Sequence, residues 1–344
     1  MKKLFLPLIL CLSFLFAFGG CSQEATLEFA DAWGSYGIGY EETLVYDVNY
    51  KDDFNKDGYN FTKHADLKGL TYSSVGEYAV ETKVISKSND MLPDAVKNSA
   101  VFSSAPTSVI SVTTVLTLST ECSAEGGETH AYTETITSES YFCNADYSFA
   151  PIYAKGEYDY NVLYYKNGLT LSNVKGSYEN FYGDKNYTIV KKAIASDGAE
   201  TVDEQNYEYT PRSVIDNTSL LFALRNVSYK KKSAANIPTV SPSYGTAQKI
   251  KATYLDDVNK TINLAVNNEN KGEVTFLSKV VSFLINSSDQ AGSAQLLYIE
   301  NGATDATGKN RSLILSYVSP IAEYSAYNKI GCMEYTLKSA NFNG

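Results

Sequence analysis

The chain has 344 residues, with 29 lysine and arginine residues, 39 aspartate and glutamate residues and two histidines. A hydrophobic share of 44% with 20% charged residues is typical of a folded globular protein and excludes wholesale disorder. The net charge of −10 argues against a nucleic-acid partner, and the scarcity of histidine argues against histidine-dependent catalysis and multi-histidine metal sites.

The N-terminal residues 1–20 predict a secretory signal peptide. Lys2 and Lys3 form a short positive region, and an almost unbroken apolar stretch follows over residues 4–18. This stretch matches the core of a signal peptide and is too short to cross about 30 Å of hydrocarbon comfortably. Residues 21–39 mix Glu, Ala, Ser and Gly and predict a short tether, so we expect the folded body over residues 40–344.

The segment Phe18-Gly19-Gly20-Cys21 resembles the lipobox of bacterial lipoprotein precursors, although Phe18 stands where that family usually has leucine. The resemblance covers residues 1–21. It implies that the Cys21 thiol receives a diacylglycerol and that cleavage occurs just before it. It therefore implies a membrane partner, reached through the lipid, and an extracytoplasmic location on the cell membrane or the outer membrane. Ordinary secretion, with Cys21 as a plain thiol, is the alternative.

The body begins with an alternation of Leu44, Tyr46, Val48 and Tyr50, which is the period of a half-buried strand. Similar patterns predict a mainly β fold, either a large antiparallel β-sandwich or a strongly curved sheet, in one large domain or two β domains. The Ser- and Pro-rich segment 233–245 is expected to be a surface loop. The predicted strands are 42–50, 59–62, 70–72, 77–86, 109–120, 129–141, 158–165, 169–171, 187–194, 206–210, 247–254, 261–265, 274–285, 295–299, 312–318 and 333–338.

An acidic turn after the first strand matches the first half of a calcium loop. In the sequence DFNKDG, the residues Asp53, Asn55 and Asp57 would supply oxygen ligands, and Gly58 would permit the sharp turn. The twelfth position of such a loop should be a bidentate glutamate, but it is His64 here. The alternative is a hairpin turn with solvated side chains. We therefore expect no cofactor, with calcium at this loop as the alternative.

Two cysteines flank a predicted hairpin around Gly126-Gly127. Cys122 and Cys143 are disulfide candidates, because an exported compartment permits disulfides. They are asymmetric about the turn, so a simple hairpin would not place them opposite each other, and a bridge needs Cα atoms within about 7 Å. Free buried thiols are the alternative, and Cys332 would remain unpaired in either case.

Tyrosine is unusually abundant, with 28 residues. Tyr158, Tyr160 and Tyr164 have the even spacing that places side chains on one strand face. Exposed tyrosine rows suit a glycan or peptide ligand, because the ring stacks and the hydroxyl forms hydrogen bonds. The alternative is structural, since tyrosine fits half-buried strands well.

Residues 217–225 show a helical period, and residues 93–100 predict a second short helix. The apolar stripe of the first helix consists of Leu220, Leu221, Phe222 and Leu224. Its width predicts that the helix is buried against the sheet. Arg225 is placed to complement the helix dipole in the last turn.

The body resembles a family of uncharacterised bacterial exported β proteins. The matching segments are Leu44-x-Tyr46-x-Val48-x-Tyr50, Asp216-x-x-Ser219-Leu220-Leu221-Phe222-Ala223-Leu224-Arg225 and Ser319-Pro320-Ile321. Residues 85–200 have no counterpart in the resemblance. It implies a curved sheet that wraps a central helix, and it implies no activity.

These patterns predict a lipid-anchored envelope protein that acts as a non-enzymatic binding or structural module. The alternative is a lipoprotein glycan hydrolase, which would need two carboxylates in one cleft. Acidic pairs such as Asp52-Asp53 and Asp256-Asp257 are adjacent in sequence, so on strands they would point to opposite faces. The sequence also lacks a G-x-S-x-G nucleophile motif.

Overall fold

The structure is a computed structural model. It describes residues 37–56, 58–104, 107–143, 150–208, 215–216, 220–225, 227, 229–232, 234–240, 247–285, 294–301 and 311–343. The predicted signal peptide, Cys21 and Asp57 lie outside these residues. Among the helices of the described part, none has the length and hydrophobicity of a transmembrane span.

The described chain is mainly β, as the alternating sequence predicts. Two strands are longer than predicted, because polar residues on their solvent-facing side continue the alternation. The strand β4 joins the predicted segments 70–72 and 77–86, and β13 joins 247–254 and 261–265. The strands are β1 (Glu41–Lys51), β2 (Asn55–Lys56), β3 (Tyr59–Asn60), β4 (Leu70–Ser86), β5 (Ser108–Ala124), β6 (Thr129–Cys143), β7 (Pro151–Tyr164), β8 (Thr170–Tyr182), β9 (Asn186–Ile194), β10 (Glu200–Glu208), β11 (Ile215–Asp216), β12 (Ala234–Val240), β13 (Ala247–Val266), β14 (Glu269–Ile285), β15 (Ala294–Glu300), β16 (Ile314–Ala322) and β17 (Lys329–Asn343).

Short helices interrupt the strands, as predicted. They are α1 (Asp94–Lys97), α2 (Ala100–Ser104) and α3 (Leu220–Arg225), together with a 3-10 turn at Ala65–Leu67. The first two fall in and just beyond the predicted segment 93–100. The third occupies the C-terminal part of the predicted segment 217–225, whose first residues lie outside the described chain.

One sheet contains 15 strands, in the order β10-β9-β8-β7-β6-β5-β4-β1-β17-β16-β15-β14-β13-β12-β11. A short parallel contact pairs Ala265 of β13 with Ser339 of β17, and Val266 with Ala340. This contact closes β13–β17 into a ring, and β4–β10 form an arm that extends from it through β1. The fold is therefore the strongly curved sheet of the two predicted arrangements.

Two glycines in the arm lie under tyrosine rings of the neighbouring strands. In the β7–β8 ladder Gly156 faces Tyr178, and Gly176 faces Tyr158. A Cβ on Gly156 would lie 2.5 Å from the Tyr178 ring, and one on Gly176 would lie 2.7 Å from the Tyr158 hydroxyl and collide with the Lys192 carbonyl. Each tyrosine ring thus covers the glycine of the opposite strand, and a strand without a Cβ bends more easily.

Helix α3 is buried against the sheet, as predicted, within the main hydrophobic core. The Phe222 ring lies 5.7 Å from the Phe142 ring, measured between centroids. The apolar stripe differs from the prediction, because Leu221 is partly buried whereas Ala223 is buried. The strand residues in this core come from both the ring and the arm and include Leu44, Tyr46, Val80, Ile110, Ile262, Phe276 and Phe283.

Arg225 lies in the last turn of α3, as predicted, and it also forms a buried ion pair that the sequence did not predict. Its guanidinium donates from Nη1 to Glu42 Oε1 at 2.6 Å and from Nη2 to Glu42 Oε2 at 2.8 Å, and both side chains are buried. The Tyr40 hydroxyl donates to the same carboxylate at 3.0 Å, and Arg311 donates to that hydroxyl at 3.2 Å. A bidentate ion pair therefore fastens α3 to the first strand.

The prediction of a surface loop over residues 233–245 is wrong for its first half. There β12 pairs with β13 along its whole length and with β11 at its end. Pro238 cannot donate to a ladder, which is why the segment does not have a strand-like sequence. The strand forms because Ile237 and Val240 are buried in the two largest cores.

Candidate functional site

The predicted calcium loop contains a hairpin in its described residues. Asn55 pairs with Asn60 across β2 and β3, and the turn between these strands contains Gly58 at φ +80°. The Asp53 carboxylate accepts a hydrogen bond from the Thr62 hydroxyl. Asp57 lies outside the described chain. No group of three or more His, Cys, Asp or Glu side chains in the described residues is arranged to hold a metal ion.

The predicted bridge between Cys122 and Cys143 is not formed. Cys122 lies opposite His130 and Cys143 lies opposite Val109, so the two cysteines are at opposite ends of the β5–β6 ladder. At about 3.4 Å per residue, the distance along β5 between these ends is about 44 Å. The described cysteines are free and buried. Burial raises the pKa of the Cys143 thiol to about 11 and that of Cys332 to about 12, so both are poor nucleophiles.

Two members of the predicted tyrosine row lie together. The rings of Tyr158 and Tyr160 are 5.9 Å apart and half-buried on the face of β7 that faces the core. Tyr164 is separate from them, and its ring lies 5.2 Å from Tyr324 in the β16–β17 connection. This happens because the end of β7 bonds to that connection, with the Tyr324 N–H donating to the Leu163 carbonyl at 2.8 Å.

Glu134 lies at the point where β6 and β7 separate. The β6–β7 ladder begins at Phe142 and ends where Thr135 faces Asp159. Just beyond this end, the Asn161 N–H donates to Glu134 Oε1 at 2.8 Å. The carboxylate therefore accepts the hydrogen bond that a strand carbonyl would otherwise accept.

Burial raises the pKa of the Glu134 carboxyl, and hydrogen bonds from the Asn161 N–H and the Thr120 hydroxyl oppose this shift. Burial raises the pKa of Tyr160 and Tyr335, and the negative charge of Glu134 adds to both shifts.

The solvent-facing side of the same strands carries two adjoining cavities of about 340 Å³ each, over Gly156 and Gly176. Thr137, Glu157 and Ser177 line both of them. Ion pairs cross the strands here, namely Lys155–Glu139 at 3.0 Å, Lys175–Asp159 at 2.9 Å and Lys192–Glu200 at 2.7 Å. These cavities are therefore polar on a charged surface.

The core-facing and solvent-facing sides of the arm carry carboxyl groups whose pKa values shift in opposite directions. Hydrogen bonds from Asn173 and Lys175 lower the pKa of Asp159, whereas the pKa of Glu134 is raised. Thr135 faces Asp159 in the ladder, so Glu134 and Asp159 point to opposite faces of the sheet. A retaining glycosidase needs an acid and a nucleophile about 5–5.5 Å apart. These two carboxyl groups cannot form such a pair.

Glu134 is not among the residues predicted to form a site. The signal for it is the alternation of Tyr132, Glu134 and Ile136, which places one carboxyl group on the core-facing side of a strand. A carboxyl group in that position has a perturbed pKa, which is a marker of functional sites.

The fold and the site together define a β-rich protein with one curled sheet around a short helix and a partly buried carboxyl group close to Tyr160. No family model matches the chain, and no curated protein matches it significantly. Among solved structures, it is similar to a "Beta-barrel-like Protein of Domain of Unknown Function DUF1849 from Brucella abortus". The two chains are 7% identical, with a TM-score of 0.45, and the match covers 89% of this chain and 99% of the other.

Proposed function

We propose that this protein is a lipid-anchored extracytoplasmic binding module, attached through Cys21, and that its β body binds a glycan without catalysis. The observation that carries the binding proposal is the half-buried ring pair of Tyr158 and Tyr160, with Tyr160 close enough to Glu134 to sense its charge. The anchoring proposal rests on the lipobox-like segment before Cys21.

The chemistry of this surface suits a sugar. Tyrosine rings stack against the apolar face of a pyranose, and a carboxylate accepts hydrogen bonds from its hydroxyl groups. Ile136, which faces Tyr158 across the ladder, is 37% exposed and extends the apolar area. A site of aromatic rings with a few placed polar groups is the usual composition of a small-ligand site.

Affinity electrophoresis tests this proposal. The full chain, purified in detergent, is run through native gels that contain soluble β-glucan, xylan, mannan or peptidoglycan fragments. We expect at least one glycan to retard it, and we expect Tyr160→Ala to weaken that binding by about tenfold. Tyr324→Ala removes an exposed ring elsewhere and serves as the control. The absence of retardation in every gel, or equal retardation of the Tyr160→Ala variant, would overturn the proposal.

The hydrolase alternative is decided on the same samples. Each glycan is incubated with the protein, and newly formed reducing ends are measured. We expect none above the background of the heat-treated protein. If reducing ends form with the parent chain and not with the Glu134→Gln variant, the protein is a hydrolase and the binding-module proposal is wrong.

A further inference from the structure

The strand β10 ends the sheet on the side of the arm, and in the described chain it pairs with β9 alone. Its sequence is ETVDEQNYE, and its residues are exposed except for Tyr207, which is half-buried. The Tyr207 ring stacks on Tyr187 of β9 at 5.1 Å, so the strand is held in place from one side. Its other side is a nine-residue sheet edge.

The hairpin that leads into β10 determines which backbone groups face outward. The Ala195 N–H donates to the Ala199 carbonyl at 2.8 Å, which makes these residues a hydrogen-bonded pair. Such pairs alternate along an antiparallel ladder, so Thr201 and every second residue after it bond to β9. The N–H and C=O groups of Val202 and Glu204, and of the other even-numbered residues, therefore point away from β9.

The charge of this edge selects its partner. Glu200, Asp203, Glu204 and Glu208 are four acidic side chains, of which Glu200 pairs with Lys192 of β9 at 2.7 Å, and β10 itself contains no lysine or arginine. Two copies of such an edge repel each other, which disfavours pairing between molecules of this protein. A basic strand would instead place its cations beside these carboxylates.

An apolar contact completes the surface. Val202 is 67% exposed and lies on the solvent-facing side of the arm, among the outward-bonding residues. An added strand would cover it with a side chain of its own.

We propose that β10 is a docking edge for an extended, lysine- or arginine-rich segment of another protein, which adds to the sheet as a further strand. Backbone hydrogen bonds from the even-numbered residues fix its register, and the carboxylates select its charge. This proposal goes beyond the glycan site, because β10 lies at the far end of the arm from Glu134.

The test uses the full chain in detergent and a fluorescein-labelled peptide of four Lys-Val repeats, with a Glu-Val peptide for comparison. Fluorescence anisotropy measures the dissociation constant of each. We expect the basic peptide to bind, the acidic peptide to bind at least about tenfold more weakly, and added salt to weaken the binding of the basic peptide.

Two variants distinguish strand addition from simple charge attraction. Val202→Pro removes an outward N–H without breaking the bonds to β9, and Glu204→Lys reverses one charge on the edge. We expect each to weaken the binding of the basic peptide by about tenfold. Glu269→Lys makes the same charge change at an exposed residue of β14 and should leave binding within about twofold. Melting curves of all variants verify that they are folded.

Several results would overturn the proposal. Equal binding by the Val202→Pro variant would mean that charge alone holds the peptide. A failure of the basic peptide to bind at millimolar concentration would exclude the edge as an acceptor. A dimer of the parent chain that Val202→Pro dissociates would mean that a second copy is the occupant.

Discussion

The buried pair of Glu42 and Arg225 leads to a prediction about stability. Removing one member of a buried ion pair leaves the other charge without compensation, which typically costs about 3–5 kcal/mol. The two contacts, at 2.6 and 2.8 Å, have the bidentate geometry of the stronger pairs. For a domain of about 300 residues, an unfolding entropy of about 2.1 cal/mol/K per residue makes each kcal/mol correspond to about 1.6 °C in the melting temperature. We therefore expect Glu42→Leu and Arg225→Met each to lower the melting temperature by about 5–8 °C.

The double variant separates the ion pair from general damage to the core. Apolar residues that replace both charges restore much of the lost stability in other buried pairs. We expect the combined Glu42→Leu and Arg225→Met variant to lose clearly less than the sum of the two single losses. Urea and thermal unfolding, followed by circular dichroism, give the four free energies of the cycle. Additive losses would refute the reasoning.

An exposed ion pair provides the matched control. Lys338 lies 3.1 Å from Asp47, and both side chains are about half exposed. The same cycle with Asp47→Leu and Lys338→Met should show a coupling below about 1 kcal/mol, because solvent screens this pair.

Further predictions concern the helix, the anchor, the calcium loop and Glu134. Leu224→Ala should cost about 2–5 kcal/mol in urea unfolding and Leu221→Ala less, since Leu224 is 0% exposed and Leu221 only partly buried; equal costs would contradict this. Cys21→Ala should move the protein out of the membrane fraction, and unchanged partitioning would disprove the lipid anchor. Millimolar calcium should leave the melting temperature unchanged; a rise that Asp57→Ala abolishes would reveal a calcium site, because a ligand at 100 times its dissociation constant adds about 2.7 kcal/mol. Because folding raises the pKa of Glu134, the folded state binds this proton more tightly than the unfolded chain does. The stability of the parent relative to Glu134→Gln should therefore fall as the pH rises from about 4 through the raised pKa. A constant difference would contradict the burial of this carboxyl group.

The strands with one buried face were predictable from sequence, as β1 and β5 demonstrate, because alternation records burial directly. Strands at or next to the ends of the sheet were not. Most of β10 was missed because its residues are nearly all polar and exposed, and β12 was missed because it contains a proline. Neighbouring strands hold these two in place, and that information lies elsewhere in the chain.

The candidate site was predictable in part, for a similar reason. Even spacing correctly placed Tyr158 and Tyr160 on one face, since this depends only on the strand period. The position of Glu134 depends on where the β6–β7 ladder ends, and the ion pair of Arg225 with Glu42 joins residues 183 positions apart. No local pattern contains either fact.

The pairing of β1 with β17 has a consequence for biogenesis. Glu41 faces Asn343, so the first strand of the body is completed by the last. Until residues 335–343 have been synthesised, Leu44, Tyr46 and Val48 have no partner on that side of β1. The folding chain must therefore keep an open and apolar strand edge until β17 has formed. Its yield should depend on factors that shield unfolded chains, and short truncations within β17 should be far more damaging than their length suggests.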